Sequence, residues 1–92
     1  MDIRVIKKDE KKLLLEIPGE TYTLTNTLRE ELWNDSNVAE AAEIKEHPYL
    51  AEPKIWVRVK RGDPVEALKR ACGRIEKKAK EFEKKFRDAL KA

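Results

Sequence analysis

Apolar positions along the chain first alternate and then recur at helical spacing. Ile3-Arg4-Val5-Ile6-Lys7 alternates loosely and predicts a strand, and Lys8-Asp9-Glu10-Lys11 interrupts it. Leu13, Leu15 and Ile17 then share one face of a second strand, so the two pair as a hairpin. Pro18-Gly19 closes that segment, because proline cannot donate to a ladder and glycine tolerates the turn. From Thr23 to Asn34 the period changes. Leu24, Leu28 and Leu32 recur every four residues with Thr27 and Glu31 beside them, a narrow stripe on a helix that Thr23 is placed to cap. Asn34-Asp35-Ser36-Asn37 stops it, since these side chains compete for helix hydrogen bonds.

Val38 to Lys45 predicts a third strand with Val38, Ala42 and Ile44 on one side. Its Ala and Glu content also suits a helix; a strand is preferred because the preceding helix has stopped and the next segment needs a partner. His47-Pro48 to Pro53 reads as a loop, and Lys54 to Arg61 is the clearest strand. In it Ile55, Val57 and Val59 oppose Trp56, Arg58 and Lys60. Gly62-Asp63-Pro64 opens a long helix, with Asp63 as N-cap, Pro64 at the first helical position and Glu66 as a capping-box partner. The helix runs from residue 64 to about 90, about 40 Å at ~1.5 Å per residue. The order is ββαββα, an α+β fold with a four-stranded sheet, in a single domain over residues 1–92.

The most informative pattern lies in that last helix. Val65, Leu68, Cys72, Ile75, Ala79, Phe82, Phe86 and Ala89 are spaced 3, 4, 3, 4, 3, 4, 3, a seven-residue repeat that keeps one stripe towards a partner. A sheet of short strands covers only the first turns, so Phe82 and Phe86 project beyond the domain. At ~25 cal/mol per Å² each phenylalanine is worth several kcal/mol when buried, against a total stability of about 5–15 kcal/mol for a small domain. The expectation is a second chain on the seam. Cys72, at a seam position, reads as a small core residue rather than a reactive thiol.

Composition narrows the chemistry. With 42% charged and 40% hydrophobic residues the chain is too apolar for disorder, and no run approaches the roughly 20 apolar residues of a membrane span. Met1-Asp2-Ile3-Arg4 lacks a signal peptide's apolar stretch, so a soluble, cytoplasmic protein without membrane attachment is expected. The single cysteine forms no internal disulfide, and the three glycines are wrongly spaced for a phosphate loop. The one histidine, His47, has no companions to hold a metal. No catalytic, metal or cofactor-binding residue is expected. Residues 69–92 carry ten Lys or Arg against four Asp or Glu, while residues 1–68 carry eleven against fourteen. The basicity thus belongs to the last helix, where it reads first as a solvated face and second as a nucleic-acid stripe.

The residues now assembled resemble a family. Gly19-Glu20-Thr21-Tyr22-Thr23-Leu24-Thr25-Asn26-Thr27-Leu28-Arg29-Glu30-Glu31-Leu32 resembles the motif G-E-D-H-T-L-G-N-L-L-R-x-x-L of the archaeal RNA polymerase subunit L family and its eukaryotic counterparts. Thr23, Leu24, Asn26 and Leu28 carry that match. His47-Pro48 and Pro53-Lys54 fit its H-P-L…P-K segment, and Asp63-Pro64-Val65-Glu66-Ala67-Leu68 its D-P-x-E-A-L helix start. Tyr22 stands where His is common, Thr25 where Gly is common, Thr27 in place of an apolar residue, and Glu46 where proline is frequent.

The resemblance implies a fold like the dimerisation domain of the bacterial RNA polymerase alpha subunit, with both helices on one face of the sheet. It further implies a non-catalytic subunit of DNA-directed RNA polymerase. Such a protein pairs as a heterodimer with a larger alpha-like chain, the D subunit of the polymerase. Together with the small N and P subunits, the pair supports the large catalytic subunits in transcription. The predicted interface comprises Leu24, Leu28, Leu32, Leu68, Cys72, Ile75, Ala79, Phe82 and Phe86, the innermost of them shared with the domain's own core. The alternative is a small nucleic-acid module using Lys77, Lys78, Lys80, Lys84, Lys85 and Arg87, ranked lower because no aromatics interleave with them. A homodimer of the isolated chain is a third expectation.

Overall fold

In the computed structural model, which describes residues 3–18, 22–44 and 52–91, the N-terminal alternation folds into β1 (Arg4–Lys8) and β2 (Lys12–Glu16). Asp9 makes the turn: its Oδ1 accepts from the Lys11 and Lys12 N–H groups at 3.0 and 2.8 Å. Those bonds, led by the one from Lys11, hold the Asp9 carboxyl below its ordinary range. β1 is an edge strand, exposed along its whole length and bulged between Val5 and Lys7. Bulge and lysines together blunt an edge that would otherwise recruit another strand.

Two further strands, β3 (Val38–Ile44) and β4 (Lys54–Val59), complete an antiparallel sheet in the order β1-β2-β4-β3. The helix α1 (Tyr22–Trp33) carries the chain from β2 to β3, and β4 inserts between them. Opposed residues on neighbouring strands point the same way, so the register defines the core face. Leu13 faces Val57, Leu15 faces Ile55, Ala41 faces Val57 and Val38 faces Val59. All of these are buried in one cluster with Leu32 of α1 and Ala67 and Ala71 of α2 (Pro64–Lys91), which places both helices on one face. The other face carries Leu14 opposite Trp56 and Ala42, with the Trp56 indole N–H donating to Glu40.

β3 departs from the expected alternation. A bulge between Val38 and Glu40 shifts its phase by one residue, so Val38 and Ala41 face the core, while Ala42 turns to the open side. α1 also begins one residue early. Thr23 lies inside the first turn rather than capping it, and its carbonyl accepts from the Thr27 hydroxyl at 2.8 Å.

Gly62, at φ +77°, makes the left-handed turn that a side chain would strain, and it delivers the chain from β4 into α2. Asp63 caps α2 as expected: Oδ1 accepts from the Val65 N–H at 2.8 Å, and the carbonyl from the Ala67 N–H at 3.1 Å. Glu66, expected to close a capping box, is turned towards the Lys69 ammonium at 3.4 Å.

Candidate functional site

α2 presents three sides. The one that meets its own domain is built from Pro64, Ala67 and Ala71, all buried. Two alanines there let the helix backbone approach the sheet and α1 closely. The same side continues to Arg74 and Lys78, which reach the C-terminal end of α1. Glu31 Oε1 accepts from Arg74 Nε at 2.7 Å and its Oε2 from Lys78 Nζ at 2.8 Å. Arg74 Nη2 also donates to the Glu31 carbonyl at 2.9 Å, an end-of-helix acceptor that it shares with the Asn34 N–H at 3.1 Å. One turn earlier, Arg70 Nε lies 2.7 Å from Asp35 Oδ2.

These contacts set the charge states. Lys78 first and Arg74 second outweigh burial and hold the Glu31 carboxyl down to about 2. Burial pushes the Asp35 carboxyl up, but the Arg70 guanidinium and the Asn37 N–H outweigh it, leaving Asp35 below its ordinary range. Both carboxylates stay ionised, so successive turns of α2 are clamped to the end of α1 and to the turn that follows it.

The seam begins one residue later than this side, and at ~100° per residue it lies a quarter-turn away from it. Val65 and Leu68 are partly covered by the core cluster, and Ile75 is half-buried. The other seam positions are bare. Cys72 and Ala79 are exposed, Phe82 is 71% exposed and Phe86 54%. The exposure of Cys72 overturns its reading as a core residue. The inward position at this level belongs to Ala71, and Cys72 is rotated off it. The two phenylalanine rings stack, centroids 6.1 Å apart and planes within 12°, as side chains four apart on a helix do. Leu90 extends this row by another turn and is also exposed. Heptad spacing misses it, because the strict repeat points to Ala89, whereas the row Phe82, Phe86, Leu90 advances by four each time.

The candidates on α1 divide. Leu32 is fully buried and Leu28 nearly so; both are committed to this chain's own core. Thr25, which periodicity does not single out, is fully buried as well. Leu24 alone of the three leucines is half-exposed. Of the motif residues, Asn26 Oδ1 accepts from Arg29 Nη2 at 2.6 Å, and Thr23 is exposed. His47 and Pro48 lie outside the described residues. Trp33, at the end of α1, is half-exposed. The structure therefore brings Leu68, Cys72, Ile75, Ala79, Phe82 and Phe86 onto one continuous helix side. Among the described residues no helix is long and apolar enough to cross a membrane. What such a surface does chemically is bury area: it holds an apolar strip of about five turns, flanked by charge, ready for another helix.

Comparison with known proteins places this geometry. The family model for the RNA polymerase Rpb3/Rpb11 dimerisation domain matches residues 12–85. A DNA-directed RNA polymerase subunit Rpo11 from Thermoplasma acidophilum is 40% identical over 75 residues, covering 82% of this chain and 68% of the relative. The subunit of that name from Methanothrix thermoacetophila is 32% identical over 91 residues, covering 99% of this chain and 100% of its own. Among solved structures, the crystal structure of DNA-directed RNA polymerase subunit L from Thermoplasma acidophilum superposes with a TM-score of 0.89 at 34% identity, covering 98% of this chain and 89% of that one.

Proposed function

The chain belongs to the RNA polymerase Rpb3/Rpb11 dimerisation domain family, and from that premise we propose that it pairs with the alpha-like D subunit to form the assembly platform of a DNA-directed RNA polymerase. In this reading it contributes no catalytic residue and takes no cofactor. The heterodimer recruits the N and P subunits and then the large catalytic ones, in the cytoplasm. The observation that carries the proposal is the bare side of α2, where Phe82, Phe86 and Leu90 stand in water. Covering them is worth about 1.5–3 kcal/mol per side chain. A stable heteromeric interface of this type buries about 2,000 Å² or more, which five turns of helix and the flanking half-buried residues can supply.

Co-expression with a candidate alpha-like chain, followed by size exclusion, tests the reading. The expected result is a 1:1 complex, lost in the Phe82→Asp and Phe86→Asp variants while far-ultraviolet circular dichroism of the isolated chain is unchanged. Complex formation of undiminished affinity in both variants would remove the seam from the interface. Sedimentation equilibrium of the chain alone reports whether the seam self-associates when its alpha-like partner is absent.

A further inference from the structure

The third side of α2 is unlike the other two. Lys77, Lys80, Lys84, Arg87 and Lys91 follow one another at spacings of 3, 4, 3 and 4, and all are exposed. Lys77, Lys80, Lys84 and Arg87 each stand two positions before a seam residue (Ala79, Phe82, Phe86, Ala89). At ~100° per residue that turns them to the opposite side of the helix, away from the apolar strip. Nor do they face their own domain, because that direction is taken by Ala67, Ala71, Arg74 and Lys78. A partner seated on the seam would leave this line open to solvent.

Every residue on the line over these four turns is a cation. The carboxylates of this segment flank it instead. Glu76 holds Lys80 at 3.1 Å and Glu83 is paired with Arg87, both as exposed pairs four apart. Exposed pairs of this kind are worth about 0–1 kcal/mol and exchange readily for another anion. Among the described residues, Lys77, Lys84 and Lys91 form no ion pair. The cations therefore lie about 4.5 or 6 Å apart along an axis of about 21 Å, on a straight, rigid element.

We propose that this line binds the sugar-phosphate backbone of duplex nucleic acid without reading its sequence. Charge complementarity selects the occupant. A stable protein partner needs a buried apolar or aromatic anchor, and this side carries none. A phosphate backbone needs none, since it gains affinity by releasing condensed counterions to each lysine or arginine. Four of the five cations are lysines, point charges that suit backbone contact rather than bidentate reading of base edges. The sequence alone ranks such contact second, because no aromatics interleave with the basic residues; backbone binding through counterion release needs none. Whichever chain covers the seam, the cationic line stays on the far side of the helix from it.

Fluorescence anisotropy of a short random-sequence DNA duplex, titrated with the full chain and with its complex with the alpha-like partner, tests it at several salt concentrations. The expected dissociation constant is in the range of about 10⁻⁴–10⁻⁶ M near physiological salt, with log K falling by about 0.9 per neutralised phosphate for each unit of log salt. The triple variant Lys77→Gln, Lys84→Gln, Lys91→Gln should flatten that slope by about 2–3. A second triple variant with the same loss of charge on the hairpin, Lys7→Gln, Lys8→Gln, Lys12→Gln, should leave it unchanged. Equal losses in the two variants, or no binding at low salt, would overturn the proposal. So would displacement of the duplex by an oligoglutamate peptide at lower concentration than by unlabelled DNA, which would point to an acidic polypeptide. Retained pairing of the α2 triple variant with the alpha-like chain shows that the fold is intact.

Discussion

Glu31 Oε1 and Arg74 Nε lie 2.7 Å apart across the junction of α1 and α2, and the same guanidinium caps the Glu31 carbonyl at 2.9 Å. With Lys78 on the second carboxylate oxygen, Glu31 ties the last turn of α1 to the part of α2 where the sheet ends. This junction governs how the projecting half of α2 leaves the domain, and hence where the seam points.

Acid stability should carry the mark of that junction. The Glu31 carboxyl titrates at 4.5 in an open chain and at about 2 when folded, so its contribution is fully present above about 4.5 and is lost as pH falls towards about 2. Glu31→Gln should lower stability at neutral pH by about 1–2 kcal/mol, since it strands two half-solvated cations. It should also flatten the decline between pH 4.5 and 2. Urea denaturation followed by circular dichroism over that range measures both, and an unchanged pH profile would contradict the assignment.

Ala71 is fully buried where α2 packs against the core cluster. Ala71→Leu should cost about 1–3 kcal/mol by forcing the helix away from β2 and β4. Ala79→Leu, on the bare seam, should change stability by no more than about 0.5 kcal/mol. Thermal unfolding of the two variants gives the contrast directly.

Cys72 lies exposed on the seam. A thiol-specific reagent should modify it stoichiometrically in the native isolated chain at the rate of an accessible cysteine. In the complex with the alpha-like partner the reaction should slow by at least about tenfold, because opening a stable interface costs upwards of about 1.4 kcal/mol. Equal rates in the free and paired chain would place Cys72 outside the interface.

Gly62 adopts φ +77° with open space around its missing Cβ. Gly62→Ala should destabilise the fold by about 1–2 kcal/mol through backbone strain alone, with no steric clash. Gly62→Asn should cost less, since asparagine enters that region more easily. Chemical denaturation of both variants tests the order.

Much of the fold is legible without the structure, for local reasons. The strands of Leu13, Leu15 and Ile17 and of Ile55, Val57 and Val59 are visible because each has one buried face, and period two then shows directly. α2 is legible from Asp63-Pro64 and from a heptad unbroken by proline. The pattern of β3 comes out a residue out of phase because its bulge inserts after Val38, and nothing in Val38-Ala39-Glu40-Ala41-Ala42 marks where an extra residue will sit. Thr25 escapes a reading by periodicity because its hydroxyl suggests surface, yet it is fully buried.

The candidate site is legible as a pattern and not as a surface. Heptad spacing names Phe82 and Phe86, and they are bare. It also places Cys72 in the core, and the four-residue stripe of α1 offers Leu28 and Leu32 to a partner, although those leucines fill their own domain. Local patterning was enough to reveal the type and order of the elements and the imbalance of charge along the chain, because these depend on neighbours a few residues away. Which side of α2 turns inward was settled by packing in three dimensions. Two alanines let the helix lie closest to the sheet along Ala67 and Ala71, and Arg74 and Lys78 hold it there against Glu31. That rotation follows from packing of α2 on the core cluster and from ion pairs between residues more than 40 apart in the chain, and it leaves the apolar seam and the cationic line facing water on opposite sides.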